Sequence, residues 1–203
     1  MARDYQMIHF IQERMSGLDD KLASIVVRMF NRLESRQLYA SALSTSITLF
    51  LAFKSIGCSP KLILGTVQFQ GLSYPHAWLE LNDKIFDLAT YEDIRRHPVL
   101  KERDLKPIKP QINISYEDAS EEICYYPFQF GETWQLASMR ALVGKTFDKY
   151  IEESQNLNIM ADACYVLNKS EIPKNVNLLK DLAKLELIQD FDKDAEIDID
   201  KLQ

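Results

Sequence analysis

The stretch from His76 to Asp87, His-Ala-Trp-Leu-Glu-Leu, then Asn-Asp, then Lys-Ile-Phe-Asp, constrains this chain more than any other. Two apolar-rich runs flank an Asn82-Asp83 pair, a combination suited to a two-residue hairpin turn. Such a turn pairs Leu81 with Lys84, and the same register sets Trp78 opposite Asp87 and His76 opposite Ala89. Strand side chains alternate, so His76, Trp78 and Glu80 share one face and Ala77, Leu79 and Leu81 the other. His76 and Asp87 then become diagonal neighbours on one face, about 7–8 Å apart at the backbone, a gap that their side chains can bridge. A three-residue loop would turn Asp87 to the opposite face, so the turn length decides whether the pair exists.

The pair carries chemistry. A carboxylate bonded to one imidazole nitrogen fixes the tautomer and stabilises the charged ring, leaving the second nitrogen to exchange a proton with a nucleophile. The bland alternative is a histidine with a local hydrogen bond and an aspartate that ends a strand. Upstream, residues 42–57 read as a buried helix, with Leu43, Ile47, Phe50 and Leu51 at helical spacing and Gly57 as the stop. Ser41 is a candidate cap for its beginning, which would turn the next residue toward free backbone donors and the positive end of the helix dipole. A thiol at that place would have a lowered pKa.

A helix closed by Gly57, a strand over Lys61–Phe69, the His76-Ala77-Trp78 strand and the Asp87 strand, in this order, resemble the transglutaminase-like superfamily of papain-like thiol enzymes. The resemblance spans Ser41 to Leu88, about a quarter of the 203 residues, with Gly57 fifteen residues after Ala42 and Asp87 eleven after His76. It implies an α+β fold with a papain-like or transglutaminase-like core, a helix packed on a small antiparallel sheet, and additional helices at both ends. It also implies a Cys-His-Asp site in which position 42 attacks, His76 acts as general base and then acid, and Asp87 orients it. Papain-like enzymes often take an oxyanion donor from a Gln or backbone amide upstream of the nucleophile, which makes Gln37 a candidate beside its plainer reading as a surface loop residue.

Position 42 departs from that pattern, because an alanine cannot attack a carbonyl. Three readings stand open: an engineered Cys→Ala form, a natural pseudoenzyme that keeps the fold for binding, or a register shift that makes Ser41 or Ser44 the nucleophile. Cys58, Cys124 and Cys164 do not fill the gap. Cys58 follows Gly57 at the wrong end of the helix, and the scattered spacing argues against a zinc site or a disulfide framework. All three read as small buried apolar residues. His9 lies in the first helix and His97 precedes Pro98 in a turn.

The expected activity is thiol-dependent acyl transfer on an amide or ester: protease or deamidase with water as acceptor, transglutaminase with an amine. The chain as given would be inactive. The alternatives are a non-catalytic protein gripping a peptide or protein partner in the old cleft, and a toxin or secreted effector that modifies a target protein. The expected partner is a peptide or protein substrate, with no cofactor and no metal. A net charge of −6 and a pI near 5.2 disfavour nucleic acid. No apolar run of about twenty residues spans a membrane, and no signal peptide is apparent. A cytoplasmic location follows most simply, and an effector exported without a signal peptide would look the same.

The chain reads as one domain over residues 1–191, followed by an acidic, flexible tail over 192–203. Asp4–Met15 and Leu18–Leu33 are helical, Tyr91–Arg96 is a short helix, Lys106–Pro110 is linker-like, and Ile112–Tyr116 is an edge strand. The aromatic cluster Tyr125–Phe130 either lines a groove or packs under a loop. An apolar helical stripe runs from Glu132 to Ser154, Ile159–Leu167 is a short helix, and Asn175–Ile188 an amphipathic one.

Overall fold

In a computed structural model of the chain, the residues described are 2–38, 41–96, 102, 108–127, 142, 145–153, 159–173, 175–185 and 187. Three helices open the chain: α1 (Ala2–Arg14), α2 (Asp20–Arg36) and α3 (Ala42–Ser55). Strands β1 (Lys61–Phe69), β2 (Leu72–Leu81) and β3 (Lys84–Asp87) follow, then α4 (Ala89–Arg96), β4 (Gln111–Ile114), α5 (Tyr116–Ala119) and β5 (Cys124–Pro127). Helices α6 (Phe147–Glu153), α7 (Ile159–Lys169) and α8 (Val176–Leu182) close it. The architecture is α+β, with eight helices among the described residues and one five-stranded antiparallel sheet in the order β4-β3-β2-β1-β5.

Helix α3 is the hub. Every residue from Thr45 to Phe53 is buried, so this helix has no solvated stripe and must be covered on all sides. It packs against β1 and β2 and against α2, α4, α7 and α8. Phe53 meets Phe86 of β3 edge-on at 5.6 Å, and Phe50 lies 4.9 Å from Phe147 of α6. Its buried hydroxyls are paired: Ser46 Oγ donates to the Ala77 carbonyl at 3.0 Å and Thr48 Oγ1 to the Ser44 carbonyl at 2.8 Å. The chain leaves α3 through Gly57 at φ 89°, a left-handed position that an L side chain resists, which is why the helix stops there.

Two ion clusters fix the helices around this hub. Asp162 of α7 accepts from Arg32 Nε at 2.8 Å and Arg36 Nη1 at 3.1 Å, and the Arg32 guanidinium lies 4.4 Å over the Tyr165 ring. Glu92 of α4 is fully buried, bonded by Arg95 at 2.9 Å and Arg96 at 2.5 Å, and both arginines also reach Glu34 of α2.

The edge strand expected over Ile112–Tyr116 is β4, an outer strand of the sheet, but it ends at Ile114 because Ser115 caps the short helix α5. The Asn175–Ile188 helix is shorter than its pattern, ending at Leu182 after an N-cap in which Asn175 accepts from the Leu178 amide. Cys58, Cys124 and Cys164 are free thiols and only half-buried, a correction to their reading as core residues. The expected tail 192–203, most of the 132–154 stripe, residues 128–130 and His97 lie outside the described residues. Among the described residues, no helix is long and apolar enough to cross a membrane.

Candidate functional site

The hairpin forms in the register that its turn dictates. Leu81 pairs with Lys84, Glu80 with Ile85 and Leu79 with Phe86. Asn82 and Asp83 both take left-handed backbone angles, φ 52° and 57°, as a type I′ turn requires. Continued by one residue, this register sets Trp78 opposite Asp87, so His76, two residues before Trp78, shares a face with Asp87, and His76 Nε2 lies 2.9 Å from Asp87 Oδ2 with both side chains 1% exposed.

The carboxylate of Asp87 is saturated. Its Oδ1 accepts from the backbone amides of Ala89 at 2.9 Å and Thr90 at 3.1 Å, so Asp87 also caps α4. Its Oδ2 accepts from the hydroxyls of Thr90 at 2.5 Å and Tyr125 at 2.7 Å as well as from His76. The Thr90 oxygen in turn lies 2.8 Å from His76 Nε2. With the Thr90 and Tyr125 protons both directed at Asp87, Nε2 must be the protonated nitrogen, its N–H shared between Asp87 and Thr90.

The other ring nitrogen is different. His76 Nδ1 is buried and has no hydrogen-bond partner among the described residues. In the neutral ring it carries a lone pair and no proton, the state of a general base. Trp78 stacks on the ring at 6.5 Å and 17°, and its indole N–H is held by Tyr116, whose hydroxyl bonds Glu80. Tyr74 meets the imidazole edge-on at 5.7 Å and 89°.

Electrostatics follow from this geometry. Burial works against the imidazolium, but the charge and hydrogen bond of Asp87, joined by the charge of Asp93, outweigh it and raise the pKa of His76 above 6.5. Burial likewise works against the Asp87 carboxylate, and His76, Thr90 and Tyr125 outweigh it, so its pKa falls below 3.8. The Tyr125 phenol, buried and bonded to that carboxylate, is pushed well above its ordinary value and stays protonated.

Ala42 is the first residue of α3 and is half-buried. One turn further on, Ser46 bonds the carbonyl of Ala77, the residue after His76, so the start of α3 packs against the strand that carries the imidazole. Ser41 does not cap the helix through its side chain. Its backbone (φ −112°, ψ 15°) is not extended, its hydroxyl instead accepts from Thr45 Oγ1 at 3.3 Å, and Ser44 Oγ donates to the Ser41 carbonyl at 2.9 Å. Neither serine hydroxyl reaches His76 Nδ1. Asp93 of α4 takes the capping place: its carboxylate accepts from the Ser41 amide at 3.4 Å. Gln37 is exposed at the C-cap of α2, in a left-handed conformation at φ 53°, and among the described residues no hydrogen bond ties its side chain to the site.

The structure therefore joins His76 and Asp87, sets Ala42 at the tip of the adjoining helix, and leaves Gln37 on the surface. Thr90, Tyr125, Tyr74 and Asp93 are site residues that the motif did not reveal. Only Thr90 left a local signal, since Asp87 followed three residues later by a polar residue at a helix start fits a capping pattern. Among the described residues, no cluster of His, Cys, Asp and Glu is arranged to hold a metal ion. Comparison of the chain with known protein families, characterised proteins and solved structures finds no match.

Proposed function

We propose that this is a papain-like, transglutaminase-like acyl-transfer site for an amide or ester of a peptide or protein, in a form whose nucleophile position is occupied by Ala42. The observation that carries this reading is the asymmetry of His76: one nitrogen is held by Asp87 and Thr90 at 2.9 and 2.8 Å, and the other is buried with no hydrogen-bond partner among the described residues. That is the arrangement of a base waiting for a proton donor. With a cysteine at position 42, Nδ1 would take the thiol proton, the thiolate would add to the carbonyl, and the imidazolium would return its proton to the leaving amine or alcohol. Water or an amine would then release the acyl group. As it stands, the chain makes no covalent bond at this position and can only bind.

The test restores the thiol. Ala42→Cys treated with iodoacetamide near neutral pH should be alkylated at position 42 faster than at Cys58, Cys124 or Cys164, and His76→Gln should abolish that preference. Peptide mass spectrometry distinguishes the four sites. Absence of His76-dependent alkylation at position 42 would overturn the enzyme reading.

One observation favours a second reading, a non-catalytic protein that grips a peptide in the same cleft. The Asp93 carboxylate on the amide of Ser41, the residue before α3, puts negative charge where a thiolate would need positive potential. On that reading the restored thiol reacts no faster than a free cysteine.

A further inference from the structure

Two residues before His76, Tyr74 presents the second empty polar atom of the site. Its phenol oxygen is buried and, like His76 Nδ1, has no hydrogen-bond partner among the described residues. Alternation along β2 puts Tyr74 on the same face as His76, and the two rings meet at 89° with centroids 5.7 Å apart. The other hydroxyls nearby, those of Thr90 and Tyr125, are both engaged by Asp87. Among the described residues the site thus offers a lone pair at Nδ1 and, at Tyr74, an O–H with no acceptor, the Thr90 hydroxyl interacting with the phenol oxygen instead.

We propose that the Tyr74 hydroxyl donates the hydrogen bond to the carbonyl oxygen of the amide or ester undergoing acyl transfer; this rests on the acyl-transfer reading above. A buried donor without a partner is costly unless a ligand supplies the acceptor. A carbonyl supplies it, while the proton of the attacking group satisfies Nδ1. Of the other donors, Gln37 is exposed and the Ser41 amide before α3 is engaged by Asp93, so Tyr74 would act beside the backbone amides that open α3. Burial, reinforced by the charges of Asp87 and Asp93 and only partly offset by the Thr90 hydroxyl close by, raises the pKa of the Tyr74 phenol, so it stays a neutral donor at working pH.

The step balances without an added reagent. The thiolate forms a C–S bond as the carbonyl π pair moves onto oxygen, where the Tyr74 O–H stabilises it without surrendering its proton. Collapse re-forms the C=O bond and breaks the bond to the leaving nitrogen or oxygen, which takes the proton from His76 Nδ1.

Two reagents on the Ala42→Cys chain test the assignment, because only one of them builds negative charge on a carbonyl oxygen. Alkylation by iodoacetamide expels iodide from carbon, whereas p-nitrophenyl acetate acetylates the thiol through a tetrahedral oxyanion. In the Ala42→Cys/Tyr74→Phe double variant, acetylation should slow by about 10²-fold, and alkylation at position 42 should be unchanged. The single variant Tyr74→Phe should melt at the same temperature as the parent or higher, since it removes an unsatisfied buried hydroxyl. Equal acetylation rates with and without the hydroxyl, or a lower melting temperature, would overturn the role of Tyr74 and leave the acyl-transfer reading intact. Loss of His76-dependent alkylation would instead overturn that reading, and this one with it.

Discussion

Replacing Asp87 with Asn isolates the charge of the buried pair at nearly constant shape. Asp87 accepts five hydrogen bonds, and an amide whose oxygen stays on the Ala89 and Thr90 amides would point its NH2 at three donors: His76 Nε2–H and the Thr90 and Tyr125 hydroxyls. The hydroxyls can rotate to accept. His76 can accept only by giving up the proton on Nε2, so the neutral ring should switch to the Nδ1–H tautomer. Burial then dominates, with the Asp93 charge as the remaining opposing influence, and the pKa of His76 should fall below 6.5. Breaking one side of a buried pair costs about 3–5 kcal/mol, a large part of the roughly 5–15 kcal/mol that holds a domain together. The urea midpoint should drop by about 2 M for a slope near 2 kcal/mol/M. The pH dependence has a definite sign. The raised pKa of His76 contributes stability that is full below 6.5 and lost as pH rises through the folded value. The lowered pKa of Asp87 contributes stability that is present above 3.8 and lost as pH falls through the folded value. The difference between parent and variant should therefore be widest from about pH 4 to about pH 6.5. Long-range ¹H–¹⁵N correlation spectra report tautomer and pKa directly, and a chain with three histidines keeps the assignment simple. An unshifted His76 that retains Nε2–H in Asp87→Asn, or a stability loss under about 1 kcal/mol, would mean that the Asp87 charge does not set the state of the imidazole.

The Glu92 carboxyl, fully buried between α2 and α4, has its pKa raised to about 7 by burial and by its contact with Glu34, against the pull of Arg96 and Arg95. The folded state then holds a proton that the unfolded chain loses near 4.5, so stability should fall by up to roughly 3 kcal/mol as pH rises from 4.5 to about 7, and Glu92→Gln should flatten that slope in urea titrations at several pH values. Gly65 sits where a Cβ would run into the Tyr126 carbonyl and the Trp78 ring, whose Cζ3 atom would be 2.9 Å away, so Gly65→Ala should cost about 1–3 kcal/mol and shift the tryptophan emission, both read in one fluorescence-monitored unfolding curve.

What the sequence made legible is what local physics decides. The Asn82-Asp83 turn fixed the hairpin register because two left-handed positions in succession leave one compact way to reverse a twisted ribbon, and from that register the His76–Asp87 contact followed by alternation alone. Gly57 ended α3 for a similarly local reason. Tyr125 was out of reach: it arrives 38 residues after Asp87 on β5, whose pairing with β1 depends on the close approach that Gly65 permits. Ser41 misled because its residue type favours capping while its backbone, already turned out of the extended region, hands that task to Asp93 from another helix. The half-buried cysteines failed for want of any signal, since residue type sets an average burial and tertiary packing sets the particular one.

The hydrogen bonds of this site are distributed too unevenly for a purely structural knot. A histidine kept only to stabilise the hairpin would gain from a partner on each nitrogen, and Thr90 and Tyr125 are near enough to show that hydroxyls can be supplied to this pocket. Both are directed to Asp87 instead, giving it five bonds, while His76 Nδ1 and the Tyr74 hydroxyl are buried with no hydrogen-bond partner among the described residues. Each such atom costs about 1–3 kcal/mol when nothing fills it. Two of them on neighbouring rings, next to a carboxylate held in its charged form, is the distribution expected where a second molecule completes the bonding.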